Sequence, residues 1–214
     1  MPRYSMALNI EGWGCVVVGG GRIALERTRG LLDAGARVKV VSLEFDPDFE
    51  AMSEIERRVG PFEDADLEGA FLAIAATNDS AVNQIVAEAS ERRGILCNTV
   101  DRPEQSQFIV PAMVERGLLR IAVSTEGASP AFAGRIREQL ESWLPMDLSA
   151  YLEFLEAARA TAKTRIADAD TRARFNRYLA SAKGYAGYKS LDGPGRAQWV
   201  EKLIGDPGSV PETQ

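Results

Sequence analysis

The feature that most constrains the fold is a run of glycines between a strand-like and a helix-like segment. The apolar residues 16–18 stop at Gly19-Gly20-Gly21, and an amphipathic stretch follows at residues 23–34. Gly35 then stands where a helix C-cap glycine belongs, and a second β-branched run follows at residues 38–41. A strand, a helix and a strand of these lengths predict a parallel βαβ unit with a right-handed crossover.

These glycines fit the dinucleotide-binding pattern G-x-G-x-x-A. Gly19 would make the turn, Gly21 would let a pyrophosphate approach the backbone, and Ala24 would let the helix pack closely on the strand. The free N–H groups at the helix N-terminus would bind the anion. A plain tight turn is the alternative, but the position between a strand and a helix favours dinucleotide binding.

The end of the second predicted strand is where such folds place an acidic residue for the adenosine ribose. Ser42 occupies this place, and Glu44 follows two residues later. The ribose contact therefore falls either to backbone groups of Leu43 and Glu44 or to the Glu44 carboxylate. No arginine closely follows this strand to receive a 2′-phosphate, so we expect NAD rather than NADP.

The remaining pattern divides the chain into regions of different character. Strands alternate with helices to about residue 100, which predicts a Rossmann-type, doubly wound parallel sheet of the α/β class. An antiparallel hairpin is then predicted at residues 108–114 and 118–124, and helices at 129–143, 148–166, 171–183 and 196–204. We therefore predict a dinucleotide-binding domain at residues 1–112, a small α+β region at 113–146, a helical region at 147–206 and a disordered tail at 207–214.

Composition narrows the classes of function. The net charge of −6 and the lack of a basic stripe argue against nucleic acid as a partner. The absence of histidine excludes His-based catalysis and His-ligated metals, so we predict no metal site. With neither a signal peptide nor a membrane-length apolar run, we expect no membrane partner and a cytoplasmic location. Cys15 and Cys97 lie in strand-like runs and fit buried small hydrophobes, with a disulfide or a metal site as alternatives.

Two polar segments follow the predicted strands. Asp101 comes at the carboxyl end of the strand at residues 95–100, where open α/β sheets bind ligands. It is either a proton acceptor or a turn aspartate near Pro103. The loop at residues 124–128 leads into the helix that begins at Ser129-Pro130. This loop is either an anion-binding loop or a capped loop.

Four segments in this order resemble the precorrin-2 dehydrogenase family: VVVGGGRIALER, AIAATNDSAVNQ, CNTVDRPEQSQFIVPA and IAVSTEGASPAFAGRIREQLE. The resemblance implies NAD-dependent oxidation of precorrin-2 to sirohydrochlorin, the step before iron insertion into siroheme. It also implies a homodimer in which the region after the dinucleotide-binding domain exchanges contacts between subunits. Some members also insert Fe²⁺ or Co²⁺. Because this sequence has no histidine and no transmethylase domain, we expect the dehydrogenase alone, with a bifunctional dehydrogenase and ferrochelatase as the alternative and an NAD-sensing module as a remote one.

The resemblance also assigns roles by position. It places the family's key aspartate on Asp101, cofactor contacts on Arg22, Ile23, Leu43, Glu44 and Thr77, and the tetrapyrrole loop on Ser124, Thr125 and Gly127. Cations are needed for the substrate carboxylates, and the candidates are Arg102, Arg120, Arg135 and Arg137.

The proposed chemistry gives Asp101 the task of assisting proton loss. We expect burial and the substrate carboxylates to raise its pKa. The sequence departs from the family at Glu126, which places a negative charge in the tetrapyrrole loop. It also departs at Gly134, where many members have arginine.

Overall fold

The computed structural model describes residues 3–206, 208, 210 and 211, and these form two compact units. The first unit holds the chain up to Val110 together with Glu126–Ala128. The second holds Pro111–Thr125 and the chain from Ser129 onward. The finer division expected from the sequence, with boundaries after residues 112, 146 and 206, stays a prediction.

The first unit is a doubly wound α/β domain, which confirms the predicted fold class. Its five strands are all parallel and have the order β3-β2-β1-β4-β5. The order reverses between β1 and β4, and ligands bind such sheets in the crevice beyond the strand ends at this point. The elements are β1 Gly14–Val18, α1 Arg22–Asp33, β2 Arg37–Ser42, β3 Glu56–Val59, β4 Ala70–Ala75, α2 Ser80–Arg92 and β5 Leu96–Thr99.

Both faces of the central strands are buried, and the side chains alternate between two cores. Val17 of β1 packs in one core with Leu25 of α1. Val16 packs in the other core with Val86 of α2. Helices that cover both faces explain why β1 and β4 are continuous apolar runs.

The two cysteines are buried and free, so the disulfide alternative is wrong. Cys15 belongs to the core on the α1 side and Cys97 to the core on the α2 side. Burial raises the pKa of the Cys15 thiol to about 11. Both therefore act as small apolar side chains, as the sequence predicts.

The second unit begins with an antiparallel hairpin and continues as helices. Its elements are β6 Ala112–Arg116, β7 Leu119–Val123, α3 Pro130–Trp143, α4 Leu148–Arg165, α5 Ala169–Leu179, α6 Ala182–Ser190 and α7 Gly193–Gly205. The predicted strand at 108–114 is wrong over its first four residues. Its first residue, Phe108, stays beside β5, where its carbonyl oxygen accepts a hydrogen bond from the Asn98 amide at 3.0 Å.

The predicted single helix at residues 171–183 is also wrong. Helix α5 ends at Leu179 and α6 begins at Ala182. Ser181 separates them, because its hydroxyl accepts a hydrogen bond from the backbone N–H of Gly184 and so caps α6. A serine inside a helix-like pattern acts here as a boundary.

The helical part of the second unit has its own apolar core, which includes Phe175, Leu179 and Ile204. Val210, from the tail predicted at residues 207–214, is buried in this core. Residues 207, 209 and 212–214 of that tail lie outside the described residues. None of the helices that the structure describes combines the length and hydropathy needed to span a bilayer.

Candidate active site

A cavity of about 750 Å³ lies beyond the carboxyl ends of β1, β2 and β4 in the first unit. It lies at the reversal of strand order, and its size suits a small organic ligand. Five of the predicted cofactor residues line it, namely Gly19, Gly21, Leu43, Glu44 and Thr77. Arg22 and Ile23 lie in the first turn of α1 and do not line the cavity. Asn78, a neighbour of Thr77, also lines the cavity, and so do Phe62 and Ile85, which the sequence did not single out.

The three glycines serve different purposes. Gly19 has φ +125°, and a Cβ there would lie 2.3 Å from the carbonyl oxygen of Ala76. A Cβ on Gly20 would lie 2.0 Å from the carbonyl oxygen of Glu44. Gly21 lines the cavity, and a Cβ there would meet nothing within 4 Å. Packing therefore requires glycine at the first two positions, and the third leaves space for a ligand to approach the backbone.

The N-terminus of α1 faces this glycine turn and is suited to an anion. Gly21 is the N-cap residue, and within the part of the chain that the structure describes no side chain accepts a capping hydrogen bond at the start of α1. The first turn of α1 also contains no acidic residue. Its free N–H groups and positive dipole end would therefore bind the pyrophosphate of a dinucleotide.

Three acidic residues line the cavity, and two of them are engaged in capping. Asp46 accepts a hydrogen bond from the N–H of Asp48 at 3.0 Å. Asp79 accepts one from the N–H of Ala81 at 2.8 Å, at the start of α2. The exposed Glu44 has no such role among the described residues, so its carboxylate is the acid left for a ribose hydroxyl.

Asp101 follows β5, and two side chains of α2 hold its carboxylate. The Ser80 hydroxyl donates to Oδ2 at 2.6 Å, and the Asn83 amide donates to Oδ1 at 2.9 Å. Burial by itself raises the pKa of Asp101, but these two hydrogen bonds and the charge of Arg102 outweigh it, so the pKa is lowered. The expectation of a raised pKa is therefore wrong for the protein without substrate. The carboxylate is therefore ionised at neutral pH, the state that a proton acceptor requires.

Asn83 links this carboxylate to the wall of the cavity. Its side chain is almost fully buried, with 1% exposed. Its Oδ1 accepts hydrogen bonds from the backbone N–H of Thr77 at 3.1 Å and from the Thr77 hydroxyl at 2.8 Å. Sequence reasoning missed Asn83. The available signal was an asparagine on the same helical stripe as Val86 and Ser90, which the amphipathic pattern of α2 predicts to be buried.

The loop after Asp101 is tied down on both sides. The Arg102 guanidinium donates to Gln84 Oε1 on α2 at 3.1 Å. Arg3 donates to the carbonyl oxygen of Pro103 at 3.0 Å and pairs with Glu126 at 3.2 Å. The negative charge of Glu126, unexpected beside an acidic substrate, is thus balanced by Arg3. Glu126 has φ 54°, an uncommon conformation for a residue other than glycine.

Of the other predicted substrate residues, Gly127 belongs to the first unit and the rest to the second. Ser124 directly follows β7. Thr125 Oγ1 accepts a hydrogen bond from the N–H of Ser129 at 3.0 Å, and Gly127 has φ +88°. The three arginines of the second unit that were predicted to bind substrate have partners within it. Arg120 lies 3.7 Å from Glu115, Arg137 lies 2.7 Å from Glu141, and Arg135 stacks on the Phe132 ring at 4.8 Å. A guanidinium has five N–H donors, so each of these arginines has donors beyond those its present partner uses.

Comparison with known proteins agrees with this geometry. A family model for NAD(P)-binding proteins matches residues 6–112, which contain the glycine turn and the cavity. A model for the central part of sirohaem biosynthesis proteins matches residues 116–142. The first unit therefore provides a site for a nicotinamide dinucleotide.

Relatives of known function cover both units. The siroheme synthases of Escherichia coli strains SE11 and K12 / DH10B are each 39% identical over 202 residues, which is 90% of this chain and 43% of theirs. The chain therefore spans less than half the length of these relatives. The solved structure of SirC, a precorrin-2 dehydrogenase, has a TM-score of 0.78 at 26% identity and covers 95% of this chain and 100% of its own.

Proposed function

The chain belongs to the precorrin-2 dehydrogenase family, and we propose that it oxidises precorrin-2 to sirohydrochlorin. In this reaction one hydride passes to NAD⁺, giving NADH, and one proton is released. The observation that carries the proposal is the connection of Asp101 to Thr77 through Asn83. It joins an ionised carboxylate to the wall of a dinucleotide cavity. The reaction needs both a proton acceptor and a bound hydride acceptor.

The residues have separate roles in this proposal. The glycine turn and the α1 N-terminus hold the pyrophosphate, and NAD⁺ supplies the hydride acceptor. Asp101 accepts the proton that the macrocycle loses, because its carboxylate is ionised at neutral pH. The proposed contacts to the substrate are those that the resemblance and the chemistry assign, at Arg102, Arg120, Ser124, Thr125, Gly127, Arg135 and Arg137.

The decisive experiment is anaerobic incubation of the purified chain with precorrin-2 and NAD⁺. We expect NADH and sirohydrochlorin to appear together in equal amounts. Absence of both products would contradict the proposal and favour a nucleotide-sensing role. A second incubation with sirohydrochlorin and Fe²⁺ or Co²⁺ tests the bifunctional alternative.

We propose NAD rather than NADP as the cofactor. Of the described residues that line the cavity, Glu44, Asp46 and Asp79 are acidic, and none is a lysine or an arginine. A 2′-phosphate would therefore meet negative charge without a cation to pair with it. A ribose 2′-hydroxyl could instead donate a hydrogen bond to Glu44.

Replacing Glu44 with alanine tests this choice. A hydrogen bond to a charged group contributes about 1.5–3 kcal/mol, so we expect NAD⁺ to bind about tenfold or more weakly. The preference for NAD⁺ over NADP⁺ should also decrease. The affinities for both nucleotides can be measured by calorimetry, with Glu54→Ala as the control, because Glu54 is an exposed acid outside the cavity lining. Unchanged NAD⁺ affinity would assign the ribose to the backbone of Leu43 and Glu44 instead.

We also propose that the chain forms a homodimer through its second unit. Large apolar side chains of this unit are exposed to solvent, including Leu118 at 61%, Trp143 at 76% and Met146 at 83%. Its hairpin has two strands, and such hairpins need further packing for stability. Exposed apolar surface next to a small sheet is typical of a protein–protein interface.

Replacement of Trp143 with glutamate tests the dimer. We expect the wild type to sediment with the mass of two chains. In Trp143→Glu the Kd of the dimer should rise about tenfold or more, because a charge would enter an apolar interface. Tyr4→Glu is the control, since Tyr4 is 86% exposed in the first unit. A wild-type monomer, or equal effects of the two changes, would contradict the assignment. The cytoplasmic location and the lack of nucleic-acid and membrane partners stay predictions.

A further inference from the structure

Asn83 has a full set of partners, and these join two parts of the proposed site. On one side, Oδ1 accepts from the N–H and the hydroxyl of Thr77. On the other side, Nδ2 donates to the carbonyl oxygen of Thr77 at 3.1 Å and to Asp101 Oδ1 at 2.9 Å. These partners fix the orientation of the amide, because a backbone N–H can only donate and a carbonyl oxygen can only accept.

The position of Asn83 makes this arrangement rigid. Its side chain is 1% exposed on α2, so water does not compete for its hydrogen bonds. Asp101 is itself exposed and lies in a loop. An exposed carboxylate is thereby held by a buried amide. Breaking any hydrogen bond of a buried polar group of this kind destabilises the protein.

We propose that Asn83 is a positioning residue that aligns the Asp101 carboxylate with the dinucleotide bound against Thr77. The inference rests on the proposed function and names a residue that the reaction would need beyond Asp101 and the cofactor contacts. Asn83 acts through Asp101 and Thr77 and does not touch the substrate. Its donated hydrogen bond also helps to lower the pKa of Asp101.

The donors and charges around Asp101 determine how a substitution at Asn83 changes the pKa of Asp101. From α2, Ser80 and Asn83 donate to the carboxylate as neutral groups, and Arg102 on the same loop adds a positive charge. Asn83→Asp keeps an oxygen for both Thr77 donors. It removes the hydrogen bonds that Nδ2 donates to Asp101 and to the Thr77 carbonyl oxygen, and it adds a negative charge beside Asp101. Asn83→Ala removes both connections. Asn83→Asp therefore acts mainly on Asp101, and Asn83→Ala also releases the N–H and the hydroxyl of Thr77.

The test measures the ionisation of Asp101 directly and through turnover. Carbon-13 NMR of the Asp101 carboxyl group follows its titration in the protein alone, and the pH dependence of kcat/KM reports the same group in the free enzyme. In Asn83→Asp we expect both to move upward by about one pH unit or more. We expect kcat to fall about 10- to 100-fold, while the Kd for NAD⁺ stays within about threefold. In Asn83→Ala we expect a smaller upward shift and NAD⁺ binding weaker by about three- to tenfold.

The matched control is Ser90→Ala. Ser90 is another buried polar residue of α2, and its hydroxyl donates to the carbonyl oxygen of Val86 at 2.7 Å within the same helix. It should change thermal stability without moving the titration of Asp101. If Asn83→Asp does not fold, Asn83→Ala provides the test. A folded variant at Asn83 in which Asp101 titrates as in the wild type would overturn the proposal. Because the NMR titration needs no substrate, a wild type that fails to oxidise precorrin-2 would contradict the proposed function separately.

Discussion

Replacing Asp101 with alanine is expected to lower kcat for precorrin-2 oxidation by about 10²- to 10⁴-fold, the range for loss of a general base. Affinity for NAD⁺ should stay within about threefold of the wild type, because Asp101 is not among the residues that line the cavity. Single-turnover measurement of NADH formation, together with calorimetric titration of NAD⁺, separates the two effects. Glu104→Ala is the control, since Glu104 is an exposed acid three residues later in the same loop.

The pH dependence of the wild type follows from the ionisation of Asp101. A base must be ionised to accept a proton, so activity falls as the pH falls through the pKa of the folded protein. Hydrogen bonds from Ser80 and Asn83 hold this pKa below its ordinary value, although desolvation by itself raises it. We therefore expect Asp101 to cause no loss of kcat/KM between about pH 5 and pH 8. A wild-type rate in Asp101→Ala would mean that Asp101 is a turn residue, the alternative that its position near Pro103 left open.

The dinucleotide domain could be predicted from the sequence because its signals are local. A β-branched run, a glycine turn and an amphipathic segment follow one another within residues 14–41, and parallel strands buried on both faces leave continuous apolar runs. The boundaries that were wrong depend on single polar residues. Ser181 caps α6 inside a helix-like pattern, and Phe108 is held beside β5 by the Asn98 side chain.

The environment of Asp101 could not be predicted from the sequence, because it is made by residues from another element. Ser80 and Asn83 precede Asp101 by about twenty residues and reach it because β4 and β5 are adjacent in the sheet. The direction of the pKa shift depends on whether these donors outweigh burial, which no local pattern shows. The charge of Glu126 is a similar case, since its partner Arg3 comes from the start of the chain.

The last prediction uses the two neighbouring glycines, Gly20 and Gly21, because the same substitution should have opposite consequences. In Gly20→Ala the new methyl group would lie 2.0 Å from the carbonyl oxygen of Glu44 and 2.7 Å from the Ser42 hydroxyl. Backbone cannot move aside cheaply, so we expect a loss of about 1–3 kcal/mol or more in the free energy of unfolding. For a chain of this size that corresponds to a Tm lower by about 3–10 °C.

In Gly21→Ala the methyl group would meet no protein atom within 4 Å. The Tm of the protein without cofactor should therefore stay within about 1 °C of the wild type. The methyl group would instead occupy space at the uncapped start of α1, where we place the pyrophosphate, so NAD⁺ should bind about tenfold or more weakly. Thermal melts with and without NAD⁺ distinguish the two variants, since the wild type and Gly20→Ala gain stability from bound ligand by mass action. Gly21→Ala with wild-type NAD⁺ affinity would show that the third glycine does not contact the cofactor and that the turn is required for packing alone.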